Sequence, residues 1–386
     1  MLPSDEGPES AACVRATRVY VMRHGQSTYN AEGRFQGCCD EPDLTQAGIA
    51  AADAAGTYLR AAGLRAVITS PLRRASHTAV HIYERAWRSL SEGPCFALNK
   101  RLREIELPLW EGLPLTTVRR EFEEQYRTWR DQPHLFRMPE DCRPVAALFA
   151  RAGRFWPWLL KRFAGNNVLL VTHGGTGRAL IGTALDIPQE RFHAIQQSNG
   201  GINVLEFPNH NLCQARLSAV NATDYLGERL PKLKESKTGV RILVVPAGGA
   251  DPLQLRRATE VLRNIRIDAA FGDSVTNREV ALRLLRGGRN SGIHPGIIEE
   301  LPRLGIPAES LATLLWVVHE RLLSRTLAEV LGLRHCDTNR LFVVPFTFTV
   351  LHYPSPGRAP VLQAMNLHDV GRLTGELDRQ VSVRCA

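Results

Sequence analysis

Short apolar runs rich in β-branched and aromatic residues alternate along this chain with longer stretches of helical periodicity. The first run, Arg18-Val-Tyr-Val-Met22, ends at Arg23-His24-Gly25 and predicts a buried strand that delivers a loop. Thr45 to Arg60 opens on a capping Thr and is rich in Ala, which predicts a helix packed closely on a sheet. Leu64 to Thr69 predicts a second strand, and Ser70-Pro71 opens a helix running through His77 to Trp87. Val168 to Thr172 predicts a third strand, followed by a helix over Gly177 to Leu185. Two further helical regions are expected: Arg151 to Phe163, and an excursion over 113–136 that carries Phe122, Tyr126, Trp129 and Phe136. Strands alternating with helices imply an α/β fold, a three-layer α/β/α sandwich with a mostly parallel sheet. In such sheets ligands bind outside the carboxyl ends of the strands. The Arg23-His24-Gly25 loop, the turn beginning Ser70-Pro71 and the turn His173-Gly174-Gly175 all fall at that edge.

From Ser218 to Gly239 the chain turns polar and charged, as a connection between domains would. The pattern then restarts. Val240 to Val245 repeats the first strand, Leu262 to Asp273 echoes Leu59 to Ser70, and Leu314 to His319 echoes Val168 to His173. The repeated order and spacing predict an internal duplication. The expected layout is a disordered tail over 1–17, a first domain over 18–230 with a lid inserted at about 105–145, and a second copy over 231–386.

Composition refines this picture. With 386 residues, 44% of them hydrophobic, the chain is long enough for more than one core. Its apolar runs fall short of the roughly 20 residues needed to cross a bilayer, and its first residues lack the charged and apolar regions of a secretory signal. No membrane partner and a cytoplasmic location are therefore expected. Eight cysteines show no CxxC pair and no zinc spacing, and reduced thiols are expected. His319-Glu320 lacks a second His at position 323, which is Leu, so the zinc-helix pattern fails, and the Gly174 to Gly177 turn lacks the GK[ST] of a nucleotide loop. Neither a metal nor another cofactor is expected. The formal charge of +9 rests mostly on dispersed Arg, with Lys only at 100, 161, 232, 234 and 237. Without aromatics interleaved among them, these cations suit an anionic small substrate rather than nucleic acid.

The sequence VMRHGQSTYNAEGRFQG around His24 resembles the signature of the histidine phosphatase superfamily, which includes cofactor-dependent phosphoglycerate mutases. The resemblance spans about 18–225, with RHGxxxxN at 23–30, SPLxRAxxTA at 70–79, LRE at 102–104 and THGG at 172–175 in order. It implies a phosphohydrolase-type enzyme in which His24 is transiently phosphorylated. The chemistry suits the residues. A neutral imidazole nitrogen attacks phosphorus, and fixed donors must match the charge on the equatorial oxygens. Arg23 and Arg74 offer planar guanidinium forks. Asn30 and the backbone near Gly174 complete the pocket, with His173 opposite the nucleophile, and the resemblance adds Gln36. A lone loop His is more often structural, so the weight lies in the set rather than in any one residue. Departure of an alkoxide needs an acid, and hydrolysis of phosphohistidine needs a base. Glu104, in LREIELPLWEG, matches the family's acid position, while Glu106 reads as a solvated neighbour and Glu111 as structural. Pro108 stands where the family commonly has glycine.

Laid on the first copy, the second puts Pro246-Ala247-Gly248 at the position of Arg23-His24-Gly25, Asn277 at that of Arg74, and Glu320 at that of Gly174, while His319 survives. Without nucleophile or fork, and with an added negative charge, that copy should repel phosphate and be catalytically inactive. Its expected role is a core extension or dimer surface, which leaves a homodimer open, or a regulatory anion site. The two-domain layout, with LREIxL and QSNGGINVLEF at 197–207, looks like the 2-carboxyarabinitol-1-phosphate phosphatase group of plants and cyanobacteria, which clear phosphorylated inhibitors of Rubisco. The expected function is hydrolysis of small phosphorylated metabolites, sugar phosphates of that kind included. The alternatives are a phosphoglycerate mutase and a non-enzymatic metabolite-binding or scaffold protein. Substrate discrimination is expected from the lid between Leu113 and Pro144, through Arg119, Arg120, Arg127, Arg130 and Arg137.

Overall fold

The computed structural model describes residues 15–88, 92–234, 238–248, 252–286, 290–299, 310–355 and 357–368. The expected tail lies outside them as far as residue 14, and Thr17 already belongs to the first strand. The strands are β1 Thr17–Arg23, β2 Leu64–Thr69, β3 Cys95–Leu98, β4 Asn167–Thr172, β5 Ile202–Phe207 and β6 Arg216–Ala222, then β7 Gly239–Ala247, β8 Ala269–Gly272, β9 Gly296–Ile297, β10 Leu311–His319, β11 Phe348–Tyr353 and β12 Val361–Leu367. Among the described residues these form one twelve-stranded sheet in the order β3-β2-β4-β1-β5-β6-β12-β11-β7-β10-β8-β9.

Read inward from either edge, the two halves follow the same chain order. The flanks are parallel, as expected for strands joined by helical crossovers. The middle is antiparallel, through β5, β6, β12 and β11. β6 corrects the expectation of a linker from Ser218. Ser218, Asn221 and Thr223 are buried, and asparagines of the neighbouring strands pair two of these backbones: Asn203 Oδ1 accepts from the Asn221 N–H at 3.0 Å and Asn366 Nδ2 donates to the Ser218 carbonyl at 2.8 Å, bonds that no local polarity pattern reveals. The connection between halves is confined to the stretch between β6 and β7.

The helices are α1 Thr28–Ala31, α2 Gln46–Leu59, α3 Arg73–Trp87, α4 Leu115–Glu121, α5 Glu123–Asp131, α6 Pro144–Arg162, α7 Gly174–Leu185, α8 Pro252–Leu262, α9 Val275–Leu284 and α10 Glu320–Leu331. The Thr45 side chain accepts from the Gly48 N–H, which starts α2 where the sequence places it. α6 begins earlier than expected because Pro144 suits the first turn and Val145, Leu148, Phe149 and Ala152 extend the apolar stripe upstream. The alternation of β1 sorts the layers. Val19 and Val21 face α6 and α7, whereas Tyr20 and Met22 face α2 and α3. The first of these cores runs on beneath β7, β10 and α10, so one apolar layer underlies both halves. Each large aliphatic or aromatic side chain buried there stabilises by about 1.5–3 kcal/mol.

Candidate active site

β1 ends at Arg23, and the His24 N–H donates to the Thr172 carbonyl at 2.9 Å, which stitches the loop to the end of β4. Gly25 admits the close approach of α2, since a Cβ there would lie 2.4 Å from the Gly48 carbonyl oxygen. His24 is only 2% exposed. Its Nδ1 lies 2.6 Å from the Gly25 carbonyl oxygen, which can only accept, so Nδ1 carries the proton and Nε2 keeps its lone pair. Burial, then the charges of Arg74 and Arg23, hold the imidazole well below the usual histidine range despite the opposing Gly25 bond. The ring is neutral near pH 7.

His173 stands at the end of β4 as the N-cap of α7, its ring centroid 5.2 Å from that of His24 at an interplanar angle of 62°. Ser70 Oγ accepts from the Leu72 N–H at 3.3 Å and lies 2.8 Å from His173 Nε2. With that hydroxyl donating to Nε2, the neutral ring carries its proton on Nδ1, a buried atom without a partner among the described residues. Burial, Arg74 and His24 keep this imidazole neutral too.

Arg23 donates from Nη1 to the Gln197 carbonyl at 2.8 Å, and burial pushes its guanidinium down to about 10 against the opposing pull of Glu104. Arg74 is fully buried, and its fork is turned to protein. Nη1 donates to Cys39 O at 2.7 Å and Nη2 to Gly37 O at 2.8 Å, so in this structure it clamps the loop after α1. The Nε atoms of both arginines are buried without a partner among the described residues. Such donors are costly to leave unpaired, and an anion would satisfy them.

The His173-Gly174-Gly175 turn is the first turn of α7, three residues earlier than expected, and that difference positions Glu104. The N–H groups of Gly175 and Thr176 donate to Glu104 Oε2 and Oε1, both at 3.0 Å. Oε1 also accepts from the Ile105 N–H at 2.9 Å and from Thr176 Oγ1 at 3.3 Å. Glu106 is exposed and Glu111 accepts from the Cys38 N–H at 2.7 Å, the solvated and structural roles expected of them.

Arg23, Asn30, Gln36, Glu104 and Gly174 line a cavity of about 200 Å³, with His24, Arg74 and His173 buried beside it. Asn30 and Gln36 are held through Ser27, whose Oγ donates to Gln36 Oε1 at 2.8 Å, and Asn199 Nδ2 donates to Asn30 Oδ1 at 2.8 Å. The lid contributes differently from expectation. Between Leu113 and Pro144 the residue that lines the cavity is Trp129, packed edge-on against Phe136 and His193 at 5.2 and 4.8 Å between ring centroids. Because the aromatic face turns inward, the arginines turn out. Arg119 donates to the Tyr126 hydroxyl, Arg120 pairs with Glu121, Arg130 with Asp131 and Arg137 with Asp141, while Arg127 is exposed. Besides Arg23, the cations on the cavity are Arg34, Arg178 and Lys234. Arg178 was legible as the residue one helical turn beyond Gly174. Lys234 was not, since nothing in a polar connection marks which side chain returns to a pocket.

In the second half, Asn277 Nδ2 donates to Asp273 Oδ1 at 2.6 Å, and the His319 N–H donates to Asp273 Oδ2 at 2.7 Å. A Cβ on Gly248 would lie 2.3 Å from Glu320 Oε1, so this carboxylate packs directly against the glycine.

Six described cysteines, Cys38, Cys39, Cys95, Cys142, Cys213 and Cys336, are free thiols; Cys13 and Cys385 lie outside the described residues. Among the described residues, no helix is long and apolar enough to cross a membrane.

A family model described as "Histidine phosphatase superfamily (branch 1)" matches residues 19–221. A probable 2-carboxy-D-arabinitol-1-phosphatase of Arabidopsis thaliana is 36% identical over 190 residues, 49% of this chain and 38% of that relative. The 2-carboxy-D-arabinitol-1-phosphatase of Triticum aestivum is 32% identical over 256 residues, 64% of this chain and 48% of that relative. This chain thus spans less than half the length of either. The phosphoserine phosphatase 1 of Hydrogenobacter thermophilus is 26% identical over 211 residues, 55% of this chain and 95% of that relative.

Proposed function

Because the chain belongs to the histidine phosphatase superfamily (branch 1), we propose that it hydrolyses phosphate monoesters of small metabolites through a phosphohistidine at His24. One observation carries the reading. The Gly25 carbonyl accepts a hydrogen bond from Nδ1–H, which leaves a neutral, buried imidazole with its Nε2 lone pair beside a cavity lined by Arg23 and Glu104. Nε2 forms the bond to phosphorus while the P–O ester bond breaks, and the leaving alkoxide takes a proton from the Glu104 carboxyl group. Oε2, which accepts one hydrogen bond where Oε1 accepts three, is the oxygen that carries this proton. Water then attacks phosphorus, the N–P bond breaks, and Glu104 receives the water's proton. The partnerless Nε of Arg23 and Nδ1 of His173 supply donors for the equatorial oxygens.

The sugar phosphates head the substrate proposal because two relatives carry the name 2-carboxy-D-arabinitol-1-phosphatase. In the second half the Glu320 carboxylate stands against Gly248, which disfavours phosphate at that place. The test is phosphate release from p-nitrophenyl phosphate and from a panel of sugar mono- and bisphosphates that includes carboxylated pentitol phosphates, together with acid-labile phosphate labelling of His24. Phosphoglycerate interconversion outpacing phosphate release would make the protein a mutase. Tight binding of phosphate esters without any turnover would make it a binding protein.

A further inference from the structure

We propose that Asn199 is a positioning residue for the nucleophile, and that the second half of the chain holds it in place. This rests on the reading of His24 as the group that takes up phosphate. Asn199 Nδ2 meets three oxygens: Asn30 Oδ1 at 2.8 Å and the carbonyls of His24 and Gly25, each at 3.2 Å. An amide nitrogen has two hydrogens, so one serves Asn30 and the other is shared between the two carbonyls. The Gly25 carbonyl is also the acceptor for His24 Nδ1 at 2.6 Å. Asn199 therefore grips the peptide that decides which ring nitrogen keeps its lone pair. Gly200, at φ 75°, turns the chain at this point, and its N–H donates to the carbonyls of Arg23 and His24 at 3.1 and 3.3 Å. Asn30 Oδ1 accepts from Asn199 and from the Ser27 N–H at 3.3 Å. With that oxygen committed, what Asn30 offers a phosphate oxygen is its Nδ2 donor.

The segment that carries Asn199 is held from its other side by the second half. Leu362 of β12 bridges Ile195, donating to the Ala194 carbonyl at 2.7 Å and accepting from the Gln196 N–H at 2.9 Å. Gln363 Nε2 donates to Gln196 Oε1 at 2.9 Å, and the Gln363 carbonyl accepts from Asn221 Nδ2 at 2.7 Å. Asn221 Oδ1 accepts from the N–H of Ser198, next to Asn199, at 2.7 Å. Arg241 of β7 orients the Gln363 amide, donating from Nε to its Oε1 at 3.0 Å. Gln196, Ser198, Asn221 and Gln363 are all buried, so removing one of their polar groups leaves its partner unpaired. Between Gln196 and Ser198, the Gln197 carbonyl accepts from Arg23 Nη1 at 2.8 Å. The network that starts on β12 thus ends on Arg23 and, through Asn199, on His24. Gln363 is the positioning residue of the second half, which gives the half without a nucleophile a part in the site of the other.

The test joins kinetics on p-nitrophenyl phosphate with NMR of the full chain carrying nitrogen-labelled histidine, the His24 signals being assigned through His24→Gln. Asn199→Leu keeps the side-chain volume without its donors. It is expected to lower kcat at least about tenfold while KM rises less than about threefold, because Asn30 keeps its Ser27 bond and Arg23 its Gln197 bond. In the spectrum of the unaltered protein one His24 nitrogen is protonated and the other bare; in the variant the two signals should move toward each other as tautomers mix. Asn199→Ala is read by the same criteria should the leucine variant not fold. Gln363→Met, checked by its melting curve, should give the same split at smaller size, and Gln196→Met reads the same link from its other end. A KM rise that matches the kcat loss, or His24 signals that do not respond, overturns the role of Asn199. Unaltered kcat in folded Gln363→Met and Gln196→Met overturns that of the second half. If the unaltered protein releases no phosphate from any ester while Asn199→Leu still mixes the His24 tautomers, hydrolysis fails and this inference stands. If turnover is present and the tautomers do not respond, hydrolysis stands and this inference falls.

Discussion

Asn221 and Asn366 make the same hydrogen bond in opposite directions across the centre of the sheet. Asn221 Nδ2 donates to the carbonyl of Gln363 at 2.7 Å, three residues before Asn366, and Asn366 Nδ2 donates to the carbonyl of Ser218 at 2.8 Å, three residues before Asn221. Both asparagines are fully buried and adopt left-handed φ values of 51° and 56°, a conformation Asn tolerates better than other side chains. The reciprocity accompanies a strand order that reads the same inward from either edge of the sheet.

Asn221→Ala is expected to destabilise the protein by about 1–3 kcal/mol, because it orphans the Gln363 carbonyl and puts a Cβ without a compensating side-chain bond at positive φ. Denaturant unfolding measures this. Combining it with Asn366→Ala should give a non-additive loss if the two bonds act as one unit.

His24→Ala should lower turnover of every phosphate ester by at least about a thousandfold and remove the acid-labile label. Circular dichroism and melting check that the chain still folds. Retained labelling in this variant would move the nucleophile elsewhere.

Stability should fall as the pH is lowered through the region below about 6.5. His24 and His173 are held neutral in the folded state, well below the ordinary histidine range, while the unfolded chain takes up their protons near 6.5. Above that pH neither state binds the protons; below it only the unfolded state does, so each ring removes about 1.4 kcal/mol per pH unit until its folded pKa is reached. Unfolding free energies compared at pH 7 and pH 5 should show this slope, and a His173→Gln variant should show less of it.

Glu104→Gln should cost about 100-fold or more in turnover of sugar phosphates, whose alkoxides need a proton, and markedly less for p-nitrophenyl phosphate, whose leaving group does not. Equal losses would leave Glu104 only the role of capping the first turn of α7, through Gly175 and Thr176.

Replacing Arg119, Arg120, Arg127, Arg130 and Arg137 with Gln should change the KM for carboxylated sugar phosphates less than about threefold, since exposed pairs of this kind carry little energy. Trp129→Ala should raise the same KM by more, because Trp129 lines the cavity and packs against Phe136 and His193. Kinetics on the two variants side by side decide which face of the lid the substrate meets.

The sequence by itself determined the elements that carry the chemistry. The run from Arg18 to Met22 ends on His24, and Thr45 caps its helix. The RHG, LRE and THGG motifs mark the family that residues 19–221 match. These features were legible because they are local: an apolar period, a cap or a short motif is written in adjacent residues. Only the tertiary structure decided that Ser218 to Ala222 is an interior strand rather than a linker, since the Asn221 side chain and the Ser218 carbonyl are satisfied by partners more than a hundred residues away. It decided likewise that Arg74 clamps Gly37 and Cys39, that the lid presents Trp129 instead of its arginines, and that Lys234 returns to the cavity. In each case side-chain direction is set by packing between segments distant in the chain, and no periodicity or motif within a segment records it.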